Sequence, residues 1–249
     1  MAQNSLRETQ SAIYSKNTKF MHIVAIGDVH GRNAWKEVTG TEADQIIFIG
    51  DYVDPHQPIP DLDVIHNLEE IIAFKKSTPG RVTLLLGNHD AQYLHYPLYP
   101  CSGHRADLQE SLGGLFKENK DLFQIAWQHD NYLFTHAGVS QGWHKRNISV
   151  LNEMKKENLA ETLNAIYKSE YRDIIFEVGQ RRGGWHPYGG PIWADRSETK
   201  EDFLPNYHQV VGHSRVSDFE SYSDENASIT FIDVGDTRVR FYHRRFGEN

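Results

Sequence analysis

One device recurs six times along the chain: a short run of β-forming residues that stops at a polar cluster built on glycine. The runs at 22–26, 45–49 and 82–86 close on Gly27-Asp28, Gly50-Asp51 and Gly87-Asn88-His89-Asp90. Those at 132–134, 209–211 and 229–232 close on Thr135-His136-Ala137-Gly138, Gly212-His213 and Asp233-Val234-Gly235. Near-continuous apolar runs of this length suit strands buried on both faces. Between them the apolar spacing predicts helices over residues 62–76, 108–119 and 151–176. The first has Leu62, Ile65, Leu68, Ile72 and Phe74 on its apolar face, follows Pro60-Asp61 and stops at Pro79-Gly80. Strands alternating with helices imply an α/β architecture, and ligands in such sheets sit beyond the carboxyl ends of the strands. The polar clusters fall at those ends.

At 249 residues the chain has enough length for a large core, and residues 21–249 read as one domain. Residues 1–20 are polar, lack the apolar stretch of a signal peptide, and read as a flexible leader. No apolar run approaches the roughly 20 residues that cross a bilayer. A net charge of -8, from 26 basic and 34 acidic residues, argues against a protein that holds nucleic acid through its phosphates. The single cysteine, Cys101, excludes an internal disulfide and a thiolate zinc site, and points to a cytoplasmic setting. No obligate protein partner is evident.

The strand ends carry Asp28, His30, Asp51, Asp54, Asn88, His89, His136 and His213. Carboxylate, amide and imidazole without thiolate suit Mn, Fe or Zn. Six or more ligands are too many for one ion that keeps room for water. A carboxylate such as Asp51 can bridge two ions about 3.5–4 Å apart.

Five of these clusters occur in a telling order: Gly27-Asp28-Val29-His30-Gly31, Gly50-Asp51-Tyr52-Val53-Asp54, Gly87-Asn88-His89-Asp90, Thr135-His136-Ala137-Gly138 and Gly212-His213. In that order they resemble the motifs of the calcineurin-like metallophosphoesterases, nearest the phosphoprotein-phosphatase branch of bacterial and phage type. The similarity runs from about residue 21 to residue 235. It implies a four-layer α-β-β-α sandwich with two mixed sheets. It also implies two divalent ions, Mn foremost, with Asp28 and His30 on the first, Asp51 bridging, and Asn88, His136 and His213 on the second. A hydroxide between the ions would attack phosphorus in line, His89 would protonate the leaving oxygen, and Asp54 would orient His89. The implied reaction is hydrolysis of a phosphomonoester. The alternatives are a nucleotide phosphoanhydride or phosphodiester hydrolase and a metal-binding scaffold without catalysis.

The sequence departs from the branch pattern after Asp54. Where Arg-Gly usually follows, with the arginine gripping phosphate, Pro55-His56 stand. Arg196, Arg32 and His56 are the candidates to replace it. Arg196 is favoured, because it ends the stretch Pro191-Ile192-Trp193-Ala194-Asp195-Arg196, which resembles a Leu-Trp-x-Arg segment of bacterial phosphatases and dinucleoside tetraphosphate hydrolases. The other features read as structural. Asp233 holds a turn, Arg181 and Arg182 are solvated, Trp185 and Trp193 pack an irregular loop, and Cys101 is inert. His95, His104, His144, His186 and His208 are surface or loop residues. The basic segment 238–245 is a charged edge strand.

Overall fold

The fold is built from strands whose two faces are both apolar, and the alternation along each strand decides which layer each residue joins. In β1 (Met21–Ile26) and β2 (Gln45–Phe48), Ile23, Ala25, Ile47 and the following Ile49 share one cluster with Leu85, Phe134, Val210 and Ile232. Val24, Ile26, Ile46 and Phe48, one residue out of phase, join a second cluster with Val64, Leu68, Ile71 and Ile72 of α1 (Asp61–Ser77). The period of two thus sends one set between two sheets and the other beneath a helix. The computed structural model describes residues 20–247, so the leader expected at 1–20 lies outside the described residues except for Phe20.

The first sheet adds β3 (Val82–Leu85), β4 (Phe123–Gln124) and β10 (Tyr242–Phe246), in the order β10-β1-β2-β3-β4. The second comprises β5 (Ala126–His129), β6 (Tyr132–Thr135), β7 (His208–Val211), β8 (Glu220–Ser223) and β9 (Ser228–Phe231), in the order β5-β6-β7-β9-β8. Both sheets are mixed. β1, β2 and β3 run parallel, and so do β6, β7 and β9. The carboxyl ends of each trio therefore lie side by side, which is where the polar clusters stand.

Two short helices follow β3: α2 (Asn88–Leu94) and α3 (Gln109–Glu118). After β6 come α4 (Gln141–Arg146), α5 (Ile148–Glu153), α6 (Leu159–Tyr167) and, before β7, α7 (Arg196–Thr199). α6 packs on β5 and β6 through Ala160, Leu163 and Ile166, completing the four layers. The helix expected over 151–176 is thus broken into pieces. Asn158 accepts a hydrogen bond from the Glu161 amide at 2.9 Å and starts α6 afresh, and the last piece is the 3-10 turn Arg172–Phe176. Asparagine bonding its own local backbone competes with a continuing helix. The basic C-terminal segment does form an edge strand, antiparallel to β1, although it begins only at Tyr242. No described helix is long and apolar enough to cross a membrane.

Candidate active site

The loops after β1, β2, β3 and β7 are locked to one another by hydrogen bonds from their backbone amides. The amides of Val29 and His30 both donate to the Asp51 carbonyl, at 3.0 and 2.7 Å. Buried Asp90 accepts from the amides of Asp51, Tyr52 and Gly87 at 2.7, 2.7 and 2.9 Å, tying the loop after β2 to the start of α2. His30, Asp51, Asp54 and His213 are held at φ of 44°, 50°, 56° and 61°. Left-handed backbone is unfavourable for such residues and persists where surrounding structure enforces it, commonly at functional sites. Two glycines are required by close approach. A Cβ on Gly87 would collide with Asp51 Oδ1, and one on Gly212 with Asp28 Oδ1.

The hydrogen bonds settle where the imidazole lone pairs point. His136 Nδ1 donates to the Ile49 carbonyl at 3.0 Å. Its Nε2 is then the bare nitrogen, and it faces Asp51 Oδ2 at 3.3 Å, Asn88 Oδ1 at 3.1 Å and His213 Nδ1 at 3.1 Å. His30 Nδ1 likewise donates to the Val53 carbonyl at 2.9 Å, leaving Nε2 at 3.8 Å from Asp51 Oδ2 and 3.9 Å from Asp28 Oδ2. Asp28, His30 and Asp51 form one group whose ligand atoms lie within 4.8 Å of one another, and Asp51, His136 and His213 form another. Asp51 belongs to both. Asp28 also accepts from the His213 amide at 3.0 Å, while buried His213 Nε2 finds no partner among the described residues. Oxygen and nitrogen lone pairs converging in a buried space repel one another unless positive charge lies between them. The donor set therefore fits divalent cations, and a backbone carbonyl fixes the tautomer of two of the histidines.

The protein's own charges respond to this crowding. Burial, reinforced by Asp233, holds Asp28 well above the usual carboxylate range. Burial pushes Asp51 the same way, but His136 and His89 beside it win and hold it well below that range. Burial lowers His30 to about 4 and takes His213 well below its ordinary value. Burial opposes charge on His136, but Asp51 raises it to about 9, so a proton on Nε2 is the positive charge that a cation bound there would displace.

Beside these groups stands His89, the second residue of α2. Its Nδ1 lies 2.9 Å from Asp54 Oδ2, and its amide donates to Asp51 Oδ1 at 2.9 Å. Asp54 is itself fixed, because Gln92 Nε2 and Tyr93 OH each donate to it at 2.6 Å. Burial disfavours charge on His89, yet Asp51 and the bond to Asp54 raise it to about 12. One nitrogen of His89 is thus committed to a carboxylate, and the neighbouring carboxylates favour its protonated form.

Residues 21–217 match the family model for calcineurin-like phosphoesterases. The chain belongs to that family. It is by class a hydrolase of phosphoric esters, in a family that uses divalent metal ions. A search of curated proteins finds no match. Among solved structures, a point mutant of a cold-active protein tyrosine phosphatase is similar at 17% identity, over 87% of this chain and 72% of that one, with a TM-score of 0.55. The cold-active protein-tyrosine phosphatase of a psychrophile, Shewanella sp., is similar at 17% identity over the same shares, with a TM-score of 0.51. These likenesses show the shared fold.

In the phosphoesterase, His30, Asp51, Asn88, His213 and His89 line a pocket of about 560 Å³. Of the three residues expected to replace the missing arginine, His56 and Arg196 line it. The His56 ring lies 4.2 Å from that of His30, and Arg196 pairs with Glu220 at 2.8 Å. Arg32 is not among the lining residues; it donates to the Asp28 carbonyl at 2.7 Å and pairs with Asp236. Sequence reasoning set aside three further lining residues, Arg182, Asp233 and Trp193, whose ring lies 5.7 Å from that of His213. Arg182, read as solvated, is held by Asp195 at 2.7 Å and by Ser214 Oγ at 2.7 Å, close enough to His213 to lower its proton affinity. Asp233, read as a turn residue, is buried on the pocket wall with Oδ2 unpartnered among the described residues, and burial raises it to about 6. Its signal was present in the sequence, since Asp233 ends a strand as Asp28 and Asp51 do.

Proposed function

We propose that the phosphoesterase hydrolyses phosphomonoesters, with His89 as general acid. The observation that carries this is the position of Asp51, shared by two ligand groups, with a carboxylate-held His89 next to Asn88. Asp28, His30 and Asp51 would hold one divalent cation, and Asp51, Asn88, His136 and His213 the other. Two cations there, for which Mn, Fe and Zn are all suited, would draw charge from the phosphoryl oxygens and activate water for attack.

The chain's own residues do the rest. The 2.9 Å bond between His89 Nδ1 and Asp54 orients the ring and keeps it charged, so the proton to be given away sits on Nε2. Gln92 and Tyr93 stop Asp54 from turning away. Arg182 and Arg196 supply cationic donors from the pocket wall, the part taken elsewhere in the branch by an arginine after the second aspartate. The partner is then a small or protein-borne phosphate ester met in a reducing, cytoplasmic setting.

An alkoxide leaves poorly without a proton, whereas a nitrophenolate leaves readily. His89→Asn is therefore expected to lose about 10²–10⁴-fold in kcat on an alkyl phosphate and far less on p-nitrophenyl phosphate. Elemental analysis should find its metal content unchanged. Equal losses on the two esters would show that His89 holds cation or phosphate and donates no proton.

A further inference from the structure

The phosphoryl pocket does not end at its own walls. Ser102, Arg182 and Trp193 also line a second, larger groove of about 1010 Å³. Cys101 lines that groove as well; its sulfur lies 3.7 Å from the Asn88 carbonyl and sits against the His89 imidazole. His89 itself lines the phosphoryl pocket, and Ser102, Arg182 and Trp193 join that pocket to the groove, so a leaving group released at His89 can extend past Ser102 into it.

The groove is lined with aromatic surface. Tyr99 and Phe176 stack at 3.8 Å with their planes 5° apart, and Trp185 stands nearby with 94% of its surface exposed. Trp185 was expected to pack the irregular loop, and it does not. The backbone runs close to Val178 at Gly184, where a Cβ would collide with the Val178 carbonyl, and the indole that follows stands outward. A solvent-facing indole beside a reaction centre is a stacking surface. Glu177 adds a polar demand. It is only 8% exposed; Oε1 takes Arg146 and His186, each at 3.2 Å, while Oε2 is buried with no partner among the described residues. A buried carboxylate oxygen without a donor is rare and costly, and a ligand N–H would satisfy it.

We propose that this groove is the leaving-group subsite and that it takes a nucleobase, making the substrate a nucleoside monophosphate. This rests on the phosphomonoesterase reading. The nucleobase is favoured over a tyrosine ring because it offers both a flat face to stack and an N–H to give to Glu177. A smaller opening of about 380 Å³, which His89 and Ser102 also line, is walled by Pro55, Gln57, Pro58 and Ile59 and has no Phe, Tyr or Trp, so it offers a base nothing to stack on.

The test uses the Mn-loaded protein. Adenosine and guanosine monophosphates are compared with glycerol phosphate and a phosphotyrosine peptide in the wild type, Trp185→Ala and Glu177→Gln. Equilibrium dialysis with phosphate-free adenosine and guanosine measures the groove alone. The wild type is expected to prefer a nucleotide, and Trp185→Ala to lower the kcat/KM ratio of nucleotide to glycerol phosphate about ten-fold, through KM. Nucleoside binding should weaken in the same variant, and Glu177→Gln should shift the preference between the two bases. An unmoved ratio, or a wild type that prefers the phosphotyrosine peptide, overturns the nucleobase. Nucleoside binding without turnover of any monoester would leave the groove standing and sink the reaction assigned to the phosphoryl site.

Discussion

Arg182 and Arg196 stand on the same pocket wall but are held differently. Arg196 spends Nη1 on Glu220 at 2.8 Å, which draws its guanidinium toward β8. Arg182 is braced by Asp195 and Ser214, both of which also line the pocket, and its charge is felt by His213. A charge-assisted hydrogen bond to an anion is worth roughly 1.5–3 kcal/mol. Arg182→Ala is thus expected to raise KM for a monoester, and the inhibition constant of inorganic phosphate, by about ten-fold or more, and Arg196→Ala by less. Metal content should be normal in both. A larger effect from Arg196 would restore it as the main phosphate contact. The sequence concealed this ranking. Two arginines before two glycines look like a solvated loop, and only the fold brings residue 182 beside residue 213. Asp28, His30, Asp51, Asn88, His89, His136 and His213 were legible because each closes a strand, and strand ends in parallel sheets converge.

Among the elements, α2 carries His89 at its start and is capped by His95 just past its last residue. The His95 ring packs edge-on against Tyr99, Tyr167 and Phe176, and its Nε2 lies 3.0 Å from Tyr167 OH, joining α2 to α6. Burial, helped by Arg172, lowers His95 to about 4 from an ordinary value of 6.5. The unfolded chain therefore binds a proton near pH 6.5 that the folded one refuses until about pH 4. The contribution to stability is whole above the unfolded value and is lost as pH falls through this window. Allowing for solvent screening of a partly exposed ring, the loss from pH 7 to pH 5 is about 1 kcal/mol. Urea denaturation of wild type and His95→Gln at both pH values measures it: the variant should lose less on acidification. Equal losses would mean that His95 titrates normally in the fold. His95 was read as a surface residue because one histidine beside Tyr96-Pro97 carries no periodic signal of burial. The long helix expected over 151–176 failed for a related reason. Its apolar spacing is real, but Asn158 supplies a cap that restarts the chain as α6.

For the whole molecule, the two sheets meet through Ile23, Ile47, Leu85, Phe134 and Val210, and the ligands come from loops on both sides of that contact. Asp28, His30, Asp51 and Asn88 follow strands of the first sheet, while His136 and His213 follow strands of the second. The α/β class was readable from unbroken apolar strands alternating with helices, and the sandwich from the family resemblance of the clusters that close them. The polar strand β8 was not, since Glu220, Ser221 and Ser223 carry no apolar pattern. The central claim is that Asp51 serves two cations at this meeting of sheets. Elemental analysis of purified wild type, Asp51→Asn and Asn88→Ala after loading with Mn tests it directly. The account predicts two equivalents in the wild type, loss from both positions and of activity in Asp51→Asn, and loss of about one equivalent in Asn88→Ala. Two full equivalents and normal turnover in Asp51→Asn would contradict it.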